Sequence, residues 1–159
     1  MRTVSPLHKL LQHPDFREGS HWKTCKVKPN QVVFREGESG RSIYLIQSGS
    51  VRLMGNLELD DERRVQPGFS DLGVGEVFGE LPLFDNQPRS ASVIAVSECD
   101  LIEINSDNLI LFLDQHPDVG YQVLKELYHM LVRRLRKANG KIFSLFAWGL
   151  KNCGITEHL

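Results

Sequence analysis

Apolar and polar positions alternate in short runs through the middle of the chain and fall at helical spacing only towards its two ends. Near the start, Leu7, Leu10 and Leu11 share one helical face behind Ser5-Pro6, a pair that reads as N-cap and first helical position. The pattern predicts one or two helical turns between residues 3 and 18, interrupted at His13-Pro14-Asp15, with Phe16 packing the segment onto the next part of the chain. From Lys23 the texture changes to strands separated by turn residues, over 24–28, 31–35, 42–47 and 50–54. Pro29-Asn30 and the 36–40 run supply turns, and Ser48-Gly49 reads as a hairpin-type corner. Residues 56–64 are charged and read as a solvated hairpin tip, and two further strands are predicted at 92–96 and 100–104.

Helical spacing returns at Ser106, an expected N-cap for a helix carrying Leu109, Ile110, Phe112 and Leu113. His116-Pro117-Asp118 breaks it, and Asp118 is expected to cap a long helix over 119–146. Along that helix Leu124, Tyr128, Leu131, Leu135, Ala138, Ile142 and Leu145 alternate four and three apart, a coiled-coil type seam. Val123, Leu127 and Val132 lie off the seam, and Arg133, Arg134, Arg136 and Lys137 form a basic stripe. Gly140 costs roughly 1 kcal/mol relative to Ala inside a helix, and residues 151–159 read as a frayed tail.

Length and composition bound the picture without changing it. A chain of 159 residues, 41% hydrophobic and 25% charged, suits one domain with one sizeable core. A formal charge of −1 gives no chain-wide pull towards nucleic acid or anionic membrane. Cys25, Cys99 and Cys153 are odd in number and far apart, which favours reduced thiols. No run of about 18 apolar residues is present, so a soluble, cytoplasmic protein without a membrane partner is expected.

The chemistry concentrates in Phe78-Gly79-Glu80-Leu81-Pro82-Leu83-Phe84-Asp85-Asn86-Gln87-Pro88-Arg89-Ser90-Ala91. Gly79 lets backbone approach a ligand closely, since it has no Cβ. Amides of the turn after it can converge on an anion. Arg89 offers a permanent cation with a planar fork of donors, and Glu80, when ionised, only accepts. Together they suit a sugar phosphate carrying a free hydroxyl.

That stretch resembles the phosphate-binding cassette of the cyclic-nucleotide-binding domain family, of the catabolite activator protein and protein kinase A regulatory subunit type. Phe78-Gly79-Glu80-Leu81 and Pro88-Arg89-Ser90-Ala91 carry the likeness, and Val33-Phe34-x-x-Gly37 with Tyr44-Leu45-Ile46-x-x-Gly49-x-Val51 extends it. The resemblance implies a mainly β fold with flanking α: an antiparallel, double-stranded jelly-roll-like β-roll with N-terminal helical turns and a long C-terminal helix. It divides the chain into an N-terminal helical segment (1–22), a binding domain with C-terminal helices (23–146) and a tail (147–159). It implies Gly79, Glu80, Leu81, Arg89, Ser90 and Ala91 as ligand contacts, with Arg89 on the cyclic phosphate, Glu80 on the ribose 2′-hydroxyl and Ser90 assisting. Tyr121, Leu124, Tyr128 and Leu131 are the residues that could cap the base. The one departure is Pro82, which stands where the family usually has Ala or Ser.

The expected ligand is cyclic AMP or cyclic GMP, reported through the C-terminal helix, with no other cofactor. The seam implies a homodimer through that helix. Metal-ligand spacing among the six histidines, a P-loop and a nucleophile elbow are all missing, so no catalysis is expected. Gly73-x-Gly75-x-x-x-Gly79 has the wrong spacing for a dinucleotide fingerprint and reads as β-roll corners. Because the chain stops soon after the long helix, DNA binding by this chain alone is not expected. The residues leave two alternatives open: a ligand-free dimerisation or interaction module, and the sensor fragment of a transcription regulator.

Overall fold

A computed structural model describes residues 5–60, 63–65, 68–85 and 87–152. The chain divides into two units, the first Gln12–Gln115 and the second Met1–Leu11 with His116–Leu159.

In the first unit, strands β1 (Trp22–Val27), β2 (Val32–Phe34), β3 (Ser42–Ser48) and β4 (Val51–Met54) are followed by β5 (Leu57–Asp60) and β6 (Arg63–Val65). Then come β7 (Gly68–Leu72), β8 (Val77–Phe78), β9 (Ser92–Ala95) and β10 (Cys99–Asn105). They form two four-stranded antiparallel sheets, β1-β10-β3-β8 and β2-β9-β4-β7, beside the β5-β6 hairpin. The tip predicted at 56–64 is therefore a paired ribbon, and residues 61–62 of that prediction lie outside the described residues.

Alternation sets which side chains reach the interior. Along β9, Val93 and Ala95 are buried while Ser92 and Ile94 are half-exposed, as period-2 pleating requires. β3 breaks the alternation: Ile43, Tyr44, Leu45 and Ile46 are all buried, because both faces of this inner strand are covered. Tyr44 and Ile46 belong to the core that also takes Phe34, Phe78, Val93 and Leu101. Full burial of such side chains contributes about 1.5–3 kcal/mol each.

The Ser48-Gly49 corner is not a hairpin turn. β3 and β4 lie in different sheets, and Gly49 (φ 82°) carries the chain from one to the other. A Cβ there would overlap the Glu98 carbonyl and stand 2.7 Å from the Cys99 sulfur. Only glycine fits such a passage at positive φ.

Helix α2 (Pro82–Asp85) is a single turn after β8, with Pro82 at its first position. α3 (Ser106–Gln115) packs on β10 and buries Leu109 and Phe112. Its N-cap is Asn105 rather than Ser106: Asn105 Oδ1 accepts from the Asn108 amide at 2.9 Å. The last residue of β10 thus ends the strand and starts the helix, while Ser106 is buried and donates its amide to the Arg41 carbonyl.

The second unit holds α1 (Pro6–Leu11) and α4 (Pro117–Asn152). Ser5 does not cap α1 with its side chain. Its Oγ donates to Glu126 Oε1 (2.5 Å), and Glu126 Oε2 accepts from the Leu7 amide (2.9 Å), so a carboxylate of α4 satisfies the start of α1. α4 begins earlier and ends later than predicted. Pro117 occupies its first position, which moves Asp118 from the cap into the first turn, where it favours the helix dipole. Gly120, Val123, Leu127 and Met130 form its buried face. Among the seam residues Leu124, Tyr128, Leu135, Ala138, Ile142 and Leu145 are exposed and Leu131 is half-buried.

Candidate ligand-binding site

β8 delivers the chain to Gly79, whose φ of 73° turns it away from the sheet towards α2. The Leu83 amide donates to the Glu80 carbonyl at 3.0 Å, closing that turn. The polar loop after α2 returns to β9, and Arg89 is fixed by its own backbone. Its amide donates to the Glu38 carbonyl (2.9 Å) and its carbonyl accepts from the Gly37 amide (2.8 Å).

The Arg89 side chain is 4% exposed. Nη1 donates to the Gly79 carbonyl at 2.9 Å and Nη2 to the Ser42 carbonyl at 2.8 Å. Its Cζ lies 4.1 Å from the centroid of Phe34 and 5.9 Å from that of Tyr44. Phe34, Tyr44 and Phe78 pack together beneath it, Tyr44 stacked on Phe78 with centroids 5.1 Å apart. Such aromatic pairs add about 0.5–1.5 kcal/mol beyond their buried area.

Two glycines clear the space for this guanidinium. A Cβ at Gly40 would stand 2.7 Å from Nε and Nη2, and one at Gly79 would stand 2.6 Å from Nη1. Nε is buried and has no hydrogen-bond partner among the described residues. A guanidinium has five N–H donors, and the two carbonyls use one on each terminal nitrogen. Burial pushes the Arg89 pKa down, and the charges of Tyr44, Glu103, Glu38 and Glu80 oppose that. It remains a cation, because arginine does not deprotonate in proteins.

Behind the cradle, Ser42 links two polar groups. Its carbonyl accepts from Arg89, and its Oγ donates to Glu103 Oε1 at 2.8 Å. Glu103 also accepts from the Tyr44 hydroxyl (3.4 Å) and pairs with Lys23 (3.1 Å). Burial raises the Glu103 pKa, but the Ser42 bond, the Lys23 bond and charge, and the Tyr44 bond outweigh it and hold the carboxyl below its ordinary value. Burial, followed by the Glu103 charge, pushes Tyr44 up to about 12.

Of the residues singled out in the sequence, Gly79, Glu80, Leu81, Arg89, Ser90 and Ala91 lie on this one segment. Glu80 and Ala91 are buried, Leu81 and Ser90 exposed. Tyr121, Leu124, Tyr128 and Leu131 belong to α4 in the other unit, the first three exposed. Sequence reasoning missed Phe34, Gly40, Ser42 and Tyr44 as parts of the arginine cradle. Among the described residues no group of three or more His, Cys, Asp or Glu is placed to hold a metal ion.

The family model described as cyclic nucleotide-binding domain matches residues 24–116. The chain belongs to the cyclic-nucleotide-binding domain family. It is 31% identical over 146 residues to the CRP-like cAMP-activated global transcriptional regulator of Mycobacterium tuberculosis, covering 89% of this chain and 55% of that protein. With the cyclic AMP receptor protein of Thermus thermophilus it shares 35% identity over 120 residues, 76% of this chain and 52% of that protein. The crystal structure of a cyclic nucleotide-binding domain from Methylobacillus flagellatus has the same fold, with a TM-score of 0.70 and 26% identity over 79% of this chain and 68% of that one. The chain thus spans about half the length of the curated relatives it matches. Among the described residues no helix is long and apolar enough to cross a membrane.

Proposed function

We propose that this chain is a non-catalytic sensor domain, centred on residues 23–146, that binds cyclic AMP reversibly and reports it through α4. The observation that carries this reading is the Arg89 guanidinium: buried, bonded to two backbone carbonyls, and keeping an Nε without a partner among the described residues. A buried cation whose bonds go to neutral carbonyls calls for an anion, and a phosphate takes the side of an arginine fork in two parallel bonds. Arg89 serves the phosphate, with Gly79, Leu81, Ser90 and Ala91 lining it, and Glu80 accepts from a ribose hydroxyl. Tyr121, Leu124, Tyr128 and Leu131 are the candidates to cover the base. The choice of cyclic AMP over cyclic GMP rests on the names of the two curated relatives. Exposure of the seam on α4 supports a homodimer through that helix.

Isothermal calorimetry with cyclic AMP and cyclic GMP tests the reading. Saturable binding with cyclic AMP the tighter ligand is expected; no heat with either nucleotide at millimolar concentration sinks it. Pro82 favours a second reading, an interaction module without ligand. It occupies the start of α2 and has no N–H to give a phosphate.

A further inference from the structure

The last turns of α4 carry more exposed apolar and basic surface than a ligand site or a helix seam uses. Between Glu126 and Asn152 there is no carboxylate, while Arg133, Arg134, Arg136, Lys137, Lys141 and Lys151 supply six cations to a chain whose formal net charge is −1. Over the same stretch Ile142, Phe143, Leu145, Phe146, Trp148 and Leu150 are exposed, Phe143, Leu145, Phe146 and Trp148 by 66–73%.

A helix pair does not absorb this surface. With Leu135 and Ile142 at the a positions and Ala138 and Leu145 at d, Phe143 and Leu150 fall at b, which points away from a two-stranded seam. Phe146 and Trp148 fall at e and g, positions that such pairs usually fill with charge. The apolar arc is therefore wider than a partner helix covers. A nucleic acid would match the cations but leave three aromatic side chains and three aliphatic ones in water.

We propose that residues 133–152 form a surface-seeking amphipathic helix that docks on an anionic phospholipid bilayer. The two halves of that chemistry are both present: cations for anionic headgroups, and an arc of Ile142, Phe143, Leu145, Phe146 and Leu150 for the acyl boundary, with Trp148 at its edge beside Lys141. The segment that carries the arc, from Gly140 to Asn152, is about 20 Å long at 1.5 Å per residue. It lies in the interface rather than spanning it, since α4 is too polar to cross. The chain-wide charge, which argued against a membrane partner, conceals this segregation. Docking of this kind does not depend on cyclic-nucleotide binding.

The full chain is tested by co-sedimentation with vesicles of phosphatidylcholine alone and of phosphatidylcholine with phosphatidylglycerol. Binding is expected on the anionic vesicles only, weakening as salt is raised. Trp148 emission should shift to the blue, and Trp148→Phe, which keeps Trp22, should remove that shift. Lys137→Gln with Lys151→Gln should weaken binding roughly 25-fold, about fivefold for each cation near an anionic surface. Phe143→Ser with Phe146→Ser should abolish it, with helicity and nucleotide affinity unchanged. No binding to the anionic vesicles, or equal binding to both kinds, overturns the proposal. So does retention on immobilised polyglutamate without vesicle binding, which would assign the cations to an acidic protein surface. Conversion of a dimer to monomers by the Phe pair with vesicle binding intact would give the patch to a second copy instead.

Discussion

The carbonyl of Gly79 accepts a 2.9 Å hydrogen bond from Nη1 of Arg89, while a Cβ on the same residue would stand 2.6 Å from that nitrogen. Gly79→Ala would therefore strain the backbone, which sits at φ 73°, and displace the guanidinium as well. A left-handed conformation costs an L-residue about 1–2 kcal/mol, so the melting temperature should fall by several degrees, roughly 2–4 °C per kcal/mol. Gly40→Ala separates the two effects. Its backbone is not at positive φ, yet its Cβ would meet Nε and Nη2 at 2.7 Å. Thermal denaturation should barely change, while calorimetry shows cyclic-nucleotide affinity falling about tenfold or more, the loss of one charged hydrogen bond.

Removing Arg89 is the sharper test. Arg89→Ala leaves a phosphate unpaired, a loss of about 2–5 kcal/mol, or at least tenfold and up to roughly a thousandfold in affinity. Glu80→Gln should cost less, because its amide oxygen still accepts from a hydroxyl. Titrations in which Arg89→Ala binds as well as the parent contradict the cassette reading.

Pro82 opposes itself. A missing donor to a charged group costs about 1.5–3 kcal/mol, whereas the restriction proline places on the unfolded chain is worth about 0.4–1 kcal/mol. Pro82→Ala should therefore tighten cyclic-nucleotide binding about tenfold or more and slightly lower the melting temperature of the free protein. Unchanged affinity would show that the amide at this position does not face the ligand.

Leu135 and Ala138 are exposed neighbours on the seam of α4. The parent is expected to dimerise in light scattering, and Leu135→Glu with Ala138→Glu should leave it monomeric without loss of helicity. A parent that is already monomeric at tens of micromolar, as an order of magnitude for a useful dimer affinity, rules the dimer out.

Glu103 gives the fold a pH dependence. Its folded pKa lies below the ordinary 4.5, so its contribution is fully present above that value and drains away as the pH falls through the folded pKa. Glu103→Gln should be less stable than the parent at neutral pH and lose less on acidification. Melting curves from about pH 7 to pH 3 read the difference, across the ordinary carboxylate range.

Half of the arginine site was legible because it is contiguous: Gly79 and Arg89 sit on one stretch, with residue types that announce an anion. The other half comes from both sheets. Ser42 contributes a backbone carbonyl, which any residue has, and Gly40 contributes only the absence of a Cβ. Neither leaves a local mark. Alternation located the strands, but not whether successive strands pair, so Ser48-Gly49 read as a hairpin where the chain changes sheets. The helix starts slipped by a residue or two for a related reason. Asn105 and Pro117 act at junctions where two elements meet without a loop, and local capping rules assume one.

Glu126 ties the beginning of the chain to its long helix with one carboxylate, Oε1 on Ser5 and Oε2 on Leu7. A helix as short as α1, six residues, does not repay its own nucleation in water. Its existence is conditional on a group that arrives more than a hundred residues later in synthesis. Any rotation or one-residue slip of α4 would withdraw both oxygens together, and the amide protons of Leu7 and its neighbours would begin to exchange. The first helix is in this sense a gauge, reading through one carboxylate where α4 stands.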